Sequence, residues 1–347
     1  MRFYTKQHAF YCGIDLHART MYVCILNGDG EIVVHKNLHT DPVAFLELIE
    51  PYRSDIVVGV ECIFTWYWLA DLCDQEGLPF VLGHALYMKA IHGGKAKNDR
   101  IDAHKIAVLL RGGMMPQAYV YPKEMRATRD LLRRRLYLVR KRGLLLAHIQ
   151  NTNHQYNLPT IPAKLNYPSN RVGFVGRFTD PCVRKSMEVD LILIAQLERL
   201  IRDLELYILK QAKQHDADTF LLLRSIEGIG KVLALTILYE IQDIDRFERV
   251  QDYASYCRLV RCSKESAGKH KGFSGKKIGN VHLKWAFSEA AVLFLRGNPA
   301  GQKFLERLAR KHGKAKALSI LAHKMGRAAY YVMKRRRTFD MKKFLAA

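Results

Sequence analysis

No stretch of this 347-residue chain approaches the length of an uncharged apolar run that a membrane-spanning helix needs, which is about 20 residues. A spanning segment is therefore not expected. The first residues, MRFYTKQHAFYCGIDLH, lack the apolar core and small-residue cleavage site of a secretory signal. The expected location is the cytoplasm, associated with the nucleoid. There is no C-x-x-C pair, and the seven cysteines are scattered at 12, 24, 62, 73, 182, 257 and 262. That pattern argues against a disulfide framework and a cysteine zinc site, and most of these cysteines read as small buried hydrophobes. Acids are scarce: 33 Asp and Glu face 56 Lys and Arg, a net charge of +23. Such an excess repels itself, and its usual reason is a polyanionic partner.

What is present falls into three stretches, read as domains over 1–120, 121–215 and 216–347. Residues 9–36 carry three short strands, with NGDGE as a hairpin turn between the second and third. Asp41-Pro42 starts a helix as cap and first position. DIVVGVE, residues 55–61, is an apolar run of strand length, as expected for a buried central strand. A helix, the strand LPFVLG and a further helix follow. The order is that of an RNase H-like α/β fold. From about 121 the chain turns helical, with long helices over 123–157 and 187–214 separated by a Pro- and Gly-containing connection. In the second of these, Ile194, Leu197, Ile201, Leu204 and Ile208 step by three and four. Such a seam serves either an antiparallel pair inside the chain or a coiled coil between chains.

Four carboxylates stand out. Asp15 lies on the first strand between Ile14 and Leu16, and Glu61 ends the central run. Neither can enter a core unpaired without a large desolvation cost. In an RNase H-like sheet these two strands are neighbours, so the acids converge at one edge. Asp99 and Asp102 are three apart at a helix start and share a face. Each also has a plainer reading, Asp99 as an N-cap and Asp102 as a first-turn acid. Close carboxylates repel, and a divalent cation resolves the repulsion. Mg²⁺, which prefers carboxylate oxygens and water, activates a nucleophile and a leaving oxygen at a phosphodiester. His17, His84 and His104 lie near these acids but are left out of the metal set, because magnesium disfavours imidazole.

The third stretch contains EGIGKVLA, in which Gly228 and Gly230, followed by Lys231, form a helix-hairpin-helix pattern suited to a phosphate. A segment rich in Gly, Ser and Lys follows over 261–280 and reads as a phosphate-facing loop that includes Lys269 and Lys271. Two segments are strongly basic. Residues 121–145 hold nine Lys and Arg against two acids, and 302–343 hold fourteen against two. Arg133, Arg134 and Arg135 in the first and Lys334 and Arg335 in the second are the expected backbone contacts, which bind without reading sequence.

The motifs CGIDLH, VGVE and KNDRIDAHKIA, with SIEGIGKVLAL and KESAGK…GKKIGN…LK, make the chain resemble transposases of the insertion-sequence 110 family, together with the related 1111 group and the Piv-type DNA invertases. The likeness runs over nearly the whole chain. It implies a RuvC-like DEDD domain whose acids correspond to Asp15, Glu61, Asp99 and Asp102. It implies a serine that attacks DNA and becomes covalently linked to phosphate, at the position of Ser266 here. Glu265 and Ala267 depart from the family's common Ser-Ser-Gly-Gly, and Ser263 and Ser274 are neighbouring alternatives. The resemblance further implies donor and target DNA and a structured guide RNA that supplies base pairing; the helical seam, read as a coiled coil between chains, gives the expectation of a homo-oligomer, dimer or tetramer. The resulting expectation is a DNA recombinase. The alternatives are a magnesium-dependent nuclease or junction resolvase that uses water, and a non-catalytic nucleic-acid-binding protein.

Overall fold

The computed structural model describes residues 2–91, 98–274 and 278–346, without the side chains of 264, 273 and 274. The Lys97 end of the KNDRIDAHKIA motif and the side chain of Ser274 therefore lie outside the described parts. The chain forms two compact units, Met1–Lys123 and Glu124–Ala347. The helical stretches 121–215 and 216–347 thus fall almost wholly within one unit.

The first unit contains β1 (Phe3–Tyr4), β2 (Phe10–Leu16), β3 (Thr20–Asn27), β4 (Ile32–His39), α1 (Pro42–Ile49), β5 (Ile56–Glu61), α2 (Tyr67–Gln75), β6 (Phe80–Gly83), α3 (Ala85–Ile91), α4 (Asp99–Arg111) and β7 (Met115–Pro116). Five strands form a mixed sheet in the order β4-β3-β2-β5-β6. The β2–β3 and β3–β4 pairs are antiparallel, and β2–β5 and β5–β6 are parallel. The short β1 pairs with β7 apart from this sheet. Asp41 caps α1, its side chain accepting from the Ala44 amide at 2.9 Å.

Alternation along a strand sends successive side chains to opposite faces. Cys12, Ile14 and Leu16 of β2 pack with Phe45 and Ile49 of α1 and Leu69 and Cys73 of α2. Tyr11 and Val57 pack on the other side with Ile106, Leu109 and Leu110 of α4. A Cβ on Gly13 would lie 2.3 Å from the Ala103 carbonyl oxygen and the Ala107 nitrogen. Glycine at this position lets the α4 backbone rest directly on β2.

The second unit contains α5 (Lys123–Gln155), α6 (Pro181–His215), α7 (Ala217–Arg224), α8 (Lys231–Ile241), α9 (Val250–Tyr256), β8 (Cys262–Ser266), β9 (Lys269–Ser274), α10 (Val281–Phe294), α11 (Pro299–His312), α12 (Lys314–Arg335) and α13 (Met341–Ala346). Its main core joins α7, α8, α10 and α12, with α8 buried continuously from Leu233 to Ile241. A second cluster brings Ile149 of α5 and Met187 and Ile194 of α6 together with Leu165, Phe174 and Phe178 of the connection. Ile194, Ile201 and Ile208 of the seam are buried inside this unit. The seam therefore holds the chain's own helices together. No described helix is long and apolar enough to cross a membrane.

Candidate active site

The side chain of Asp15 follows from the pleat. It shares the α4 face with Tyr11 and Gly13, so the first turn of α4 comes down beside it. Asn98 caps that turn, its side chain accepting from the Ile101 amide at 2.8 Å. With Asn98 as the cap, Asp99 is left free of that role and is 54% exposed. His17 Nε2 lies 3.4 Å from Asp15 Oδ2 and 3.5 Å from Asp99 Oδ1. Ligand atoms of Asp15, His17 and Asp99 all fall within 4.8 Å of one another. Burial pushes the Asp15 carboxyl up, His17 pulls it back, and the negative charges of Asp99 and Asp102 raise it further.

Glu61 belongs to the same edge. The parallel register pairs Gly13 with Gly59 and Ile14 with Val60, so Glu61 stands one step on, level with Asp15 and on the same face. Asp102 lies one turn along α4, and its Oδ1 is 3.3 Å from Lys105 Nζ. His17 was not among the expected ligands, because magnesium disfavours imidazole. Its signal was there in the D-x-H spacing: two residues along an extended chain returns to the same face.

In the second unit, the 261–280 segment read as a loop is largely a β-hairpin. Ser266 pairs with Lys269 across Ala267 and Gly268, whose φ values are +51° and +70°. Two successive left-handed residues are the requirement of a type I′ turn. Composition rich in Gly and Lys had hidden the strands. Ser266, Lys269 and Lys271 are exposed on this hairpin. Ser263 Oγ donates instead to Glu265 Oε1 at 3.2 Å.

The two glycines of EGIGKVLA do different work. Gly228 has φ +86°, and a Cβ there would lie 2.6 Å from the Ala290 carbonyl oxygen. It is required by packing against α10. Gly230 faces open space and is the N-cap of α8, with no side chain capping the helix and Lys231 exposed beside it. The basic set also divides. Arg133 makes a bidentate pair with Glu240, at 2.7 and 2.8 Å, and Arg135 pairs with Glu205 at 2.5 Å. These two guanidiniums are engaged inside the unit, which the charge count could not reveal. Arg134 is exposed and lies over the Tyr137 ring. Lys334 pairs with Asp245, and Arg335 covers the Tyr331 ring.

Comparison with known proteins gives two family matches. Residues 12–157 match a DEDD-type transposase domain of insertion-sequence 110 elements. Residues 221–306 match the transposase family of IS116, IS110 and IS902. This chain belongs to the IS110/IS116 family of transposases. It is also 23% identical over 339 residues to the transposase of insertion sequence element IS1111A of Coxiella burnetii, covering 94% of this chain and 90% of that one. It is 26% identical over 217 residues to y4qE of Sinorhizobium fredii, which carries a transposase description, covering 62% of this chain and 53% of that one.

The DEDD match spans Asp15, Glu61, Asp99 and Asp102, and a domain of that type fits a divalent metal. The second match spans Gly228, Ser266 and the first half of α11. One feature of the transposase's helical unit escaped the sequence reading. Glu240, 1% exposed, receives Arg129 at 3.1 Å, the Arg133 fork, and the Asn280 amide at 2.7 Å. Its partners lie 40 to 111 residues away in sequence, beyond the reach of any local pattern.

Proposed function

We propose that this transposase cuts and rejoins DNA through a covalent Ser266–phosphate intermediate, with Asp15, Glu61, Asp99 and Asp102 as the metal-holding acids of an RNase H-like, RuvC-like domain. The observation that carries the reading is the convergence of Asp15, His17 and Asp99 within one ion's coordination distance on the sheet edge where Glu61 also ends. The donors fit a hard divalent cation such as Mg²⁺, and His17 adds one nitrogen that Mn²⁺ accepts more readily. When bound, the ion supplies Lewis acidity at a phosphate oxygen.

The chain's own residues do the rest. Asp15 and Glu61 are fixed by adjacent strands, so their separation is set by the sheet rather than by side-chain freedom. Ser266 Oγ attacks phosphorus, a Ser–O–P ester forms, and the displaced sugar oxygen leaves as a hydroxyl. Rejoining reverses the step with a new sugar hydroxyl. Exposed Lys269 and Lys271 on the same hairpin offset phosphate charge as point charges. Gly230, Lys231, Arg134 and Arg335 are the further backbone contacts we favour. Arg133, Arg135, Lys334 and Gly228 contribute by holding the unit's shape.

Two partners belong to this reading. A structured guide RNA suits a protein whose exposed cations bind backbones without reading bases. A homo-oligomer suits α6, where Val189, Leu193, Leu200 and Tyr207 recur at helical spacing and are 39 to 56% exposed. The test is adduct trapping on nicked DNA from the element's own end, with the RNA of its non-coding flank present. The expected outcome is a protein–DNA adduct lost in Ser266→Ala and in Asp15→Asn while both variants fold. An adduct that persists in Ser266→Ala assigns the nucleophile elsewhere. Cutting without any adduct favours water as the nucleophile.

A further inference from the structure

Past the end of β5 the chain reads Cys62-Ile63-Phe64-Thr65-Trp66-Tyr67-Trp68, with four aromatic rings in five positions. Three of them fold inward. Trp66 is 5% exposed, and Tyr67 and Trp68 pack against the core that α1 and α2 share with the sheet. Phe64 does not follow them. It is 83% exposed and, among the described residues, joins neither that core nor another ring.

A single exposed apolar side chain needs no explanation by itself. Here its place and its anchoring do. The Cys62 amide donates to the Gly83 carbonyl at 2.8 Å, and the Ile63 amide donates to the Glu61 carbonyl at 2.8 Å. The Thr65 hydroxyl donates to the Leu16 carbonyl at 3.0 Å. Leu16 lies between Asp15 and His17 in sequence, and Glu61 ends β5. The backbone on both sides of Phe64 is thus tied to the sheet edge on which the acids converge. Three residues span at most about 11 Å, the rise of roughly three nucleotides along one strand. A phosphate held at the acids would therefore have Phe64 within roughly three nucleotides of it.

What one ring can take is limited. A protein partner ordinarily covers about 800 Å² per side, and a phenylalanine buries at most about 200 Å². The ring has no charge to offer a phosphate. It matches the flat, uncharged face of a nucleobase, and stacking of that kind tolerates any sequence. Apolar side chains that enter a base step also unstack it and kink the duplex.

We propose that Phe64 receives a nucleobase of the DNA substrate. A base within roughly three nucleotides of the scissile phosphate leaves the stack of its neighbours and lies on the Phe64 ring, which holds the strand open at the acids. The inference rests on the acids being the place of cleavage.

The experiment is the fluorescence of 2-aminopurine, which stacked neighbours quench. It is placed in turn at the three positions on either side of the mapped cut, in nicked DNA from the element's own end. The RNA of the non-coding flank is present, with Ca²⁺ as the divalent ion. Binding of the full chain should raise the signal several-fold at one position. Phe64→Ala should lose that rise and weaken binding about tenfold. Because Phe64 is exposed, the melting temperature and Mn²⁺ affinity of this variant should be unchanged. Phe64→Tyr should keep the affinity, and Phe64→Leu, apolar without a flat face, should not. A rise that survives in Phe64→Ala, or none at any position, overturns the proposal, and the acid site stands if Asp15→Asn still abolishes cleavage. Full affinity in Phe64→Leu overturns the stacking contact. Cleavage that Asp15→Asn leaves intact overturns both this proposal and the acid site beneath it.

Discussion

Asp15 in the first unit and Glu240 in the second are both carboxylates largely withdrawn from water, and the two are surrounded in opposite ways. Asp15 has other carboxylates for neighbours, and its own carboxyl is pushed up by burial and by Asp99 and Asp102. Glu240 pays the larger desolvation cost, yet Arg133, Arg129 and Asn280 hold its carboxyl down at about 2. Both clusters join distant segments. At Glu240 one carboxylate meets two guanidiniums, so its charge is fully compensated and the cluster serves as scaffold. Among the described residues, the cluster at Asp15 sets several carboxylates close together, the arrangement in which a bound divalent cation is favourable.

The comparison is broken most directly by neutralising each acid. Glu240→Gln removes the buried negative charge that Arg129 and Arg133 both engage and should destabilise the helical unit by about 3 to 5 kcal/mol. Asp15→Asn removes a charge that its neighbours repel, and should alter stability by less than about 1 kcal/mol in the absence of metal. Denaturant melts of the two variants, followed on the full chain, measure the contrast. Similar losses in both would mean that Asp15 is as structural as Glu240.

Acid sharpens the same contrast. A carboxyl whose folded value lies below its ordinary value contributes stability that is present above the ordinary value and lost as pH falls through the folded one. For Glu240 that window runs from 4.5 down to about 2. The difference is worth roughly 3 kcal/mol at about 1.4 kcal/mol per pH unit. The helical unit should therefore lose stability steeply across this range, and Glu240→Gln should flatten that slope. Asp15 carries the opposite sign, since its raised carboxyl is relieved by protonation.

The two clusters also differ in how far they could be read from sequence. Asp15 and Glu61 were legible because each is a charge inside an apolar strand, and because parallel neighbours ending together bring such charges to one edge. Asp99 and Asp102 were legible by helical spacing. His17 was passed over because a lone histidine carries little information until the strand is known to continue its face. Glu240 was invisible, since a glutamate in a helix has no local mark of three partners drawn from α5 and the start of α10. The hairpin of Ser266 was hidden differently. Its left-handed turn residues, Ala267 and Gly268, follow an Arg-, Ser- and Lys-bearing stretch with no apolar alternation, so composition argued for a loop.

The smallest effect tests how the site's exposed half is held. Asp15 is fixed by the sheet, whereas Asp99 depends on the first turn of α4, and that turn depends on the Asn98 cap. Asn98→Ala should cost about 1 kcal/mol of stability. The turn that frays carries Asp99, one of the three groups within ligand distance of each other. Mn²⁺ affinity should accordingly fall about fivefold, the equivalent of about 1 kcal/mol, while Asn98→Asp, which restores a cap, should keep it. A loss of a hundredfold or more would place Asp99 at the centre of the coordination shell rather than at its rim. No loss at all would remove Asp99 from the shell and leave Asp15 and His17 to be completed by Glu61.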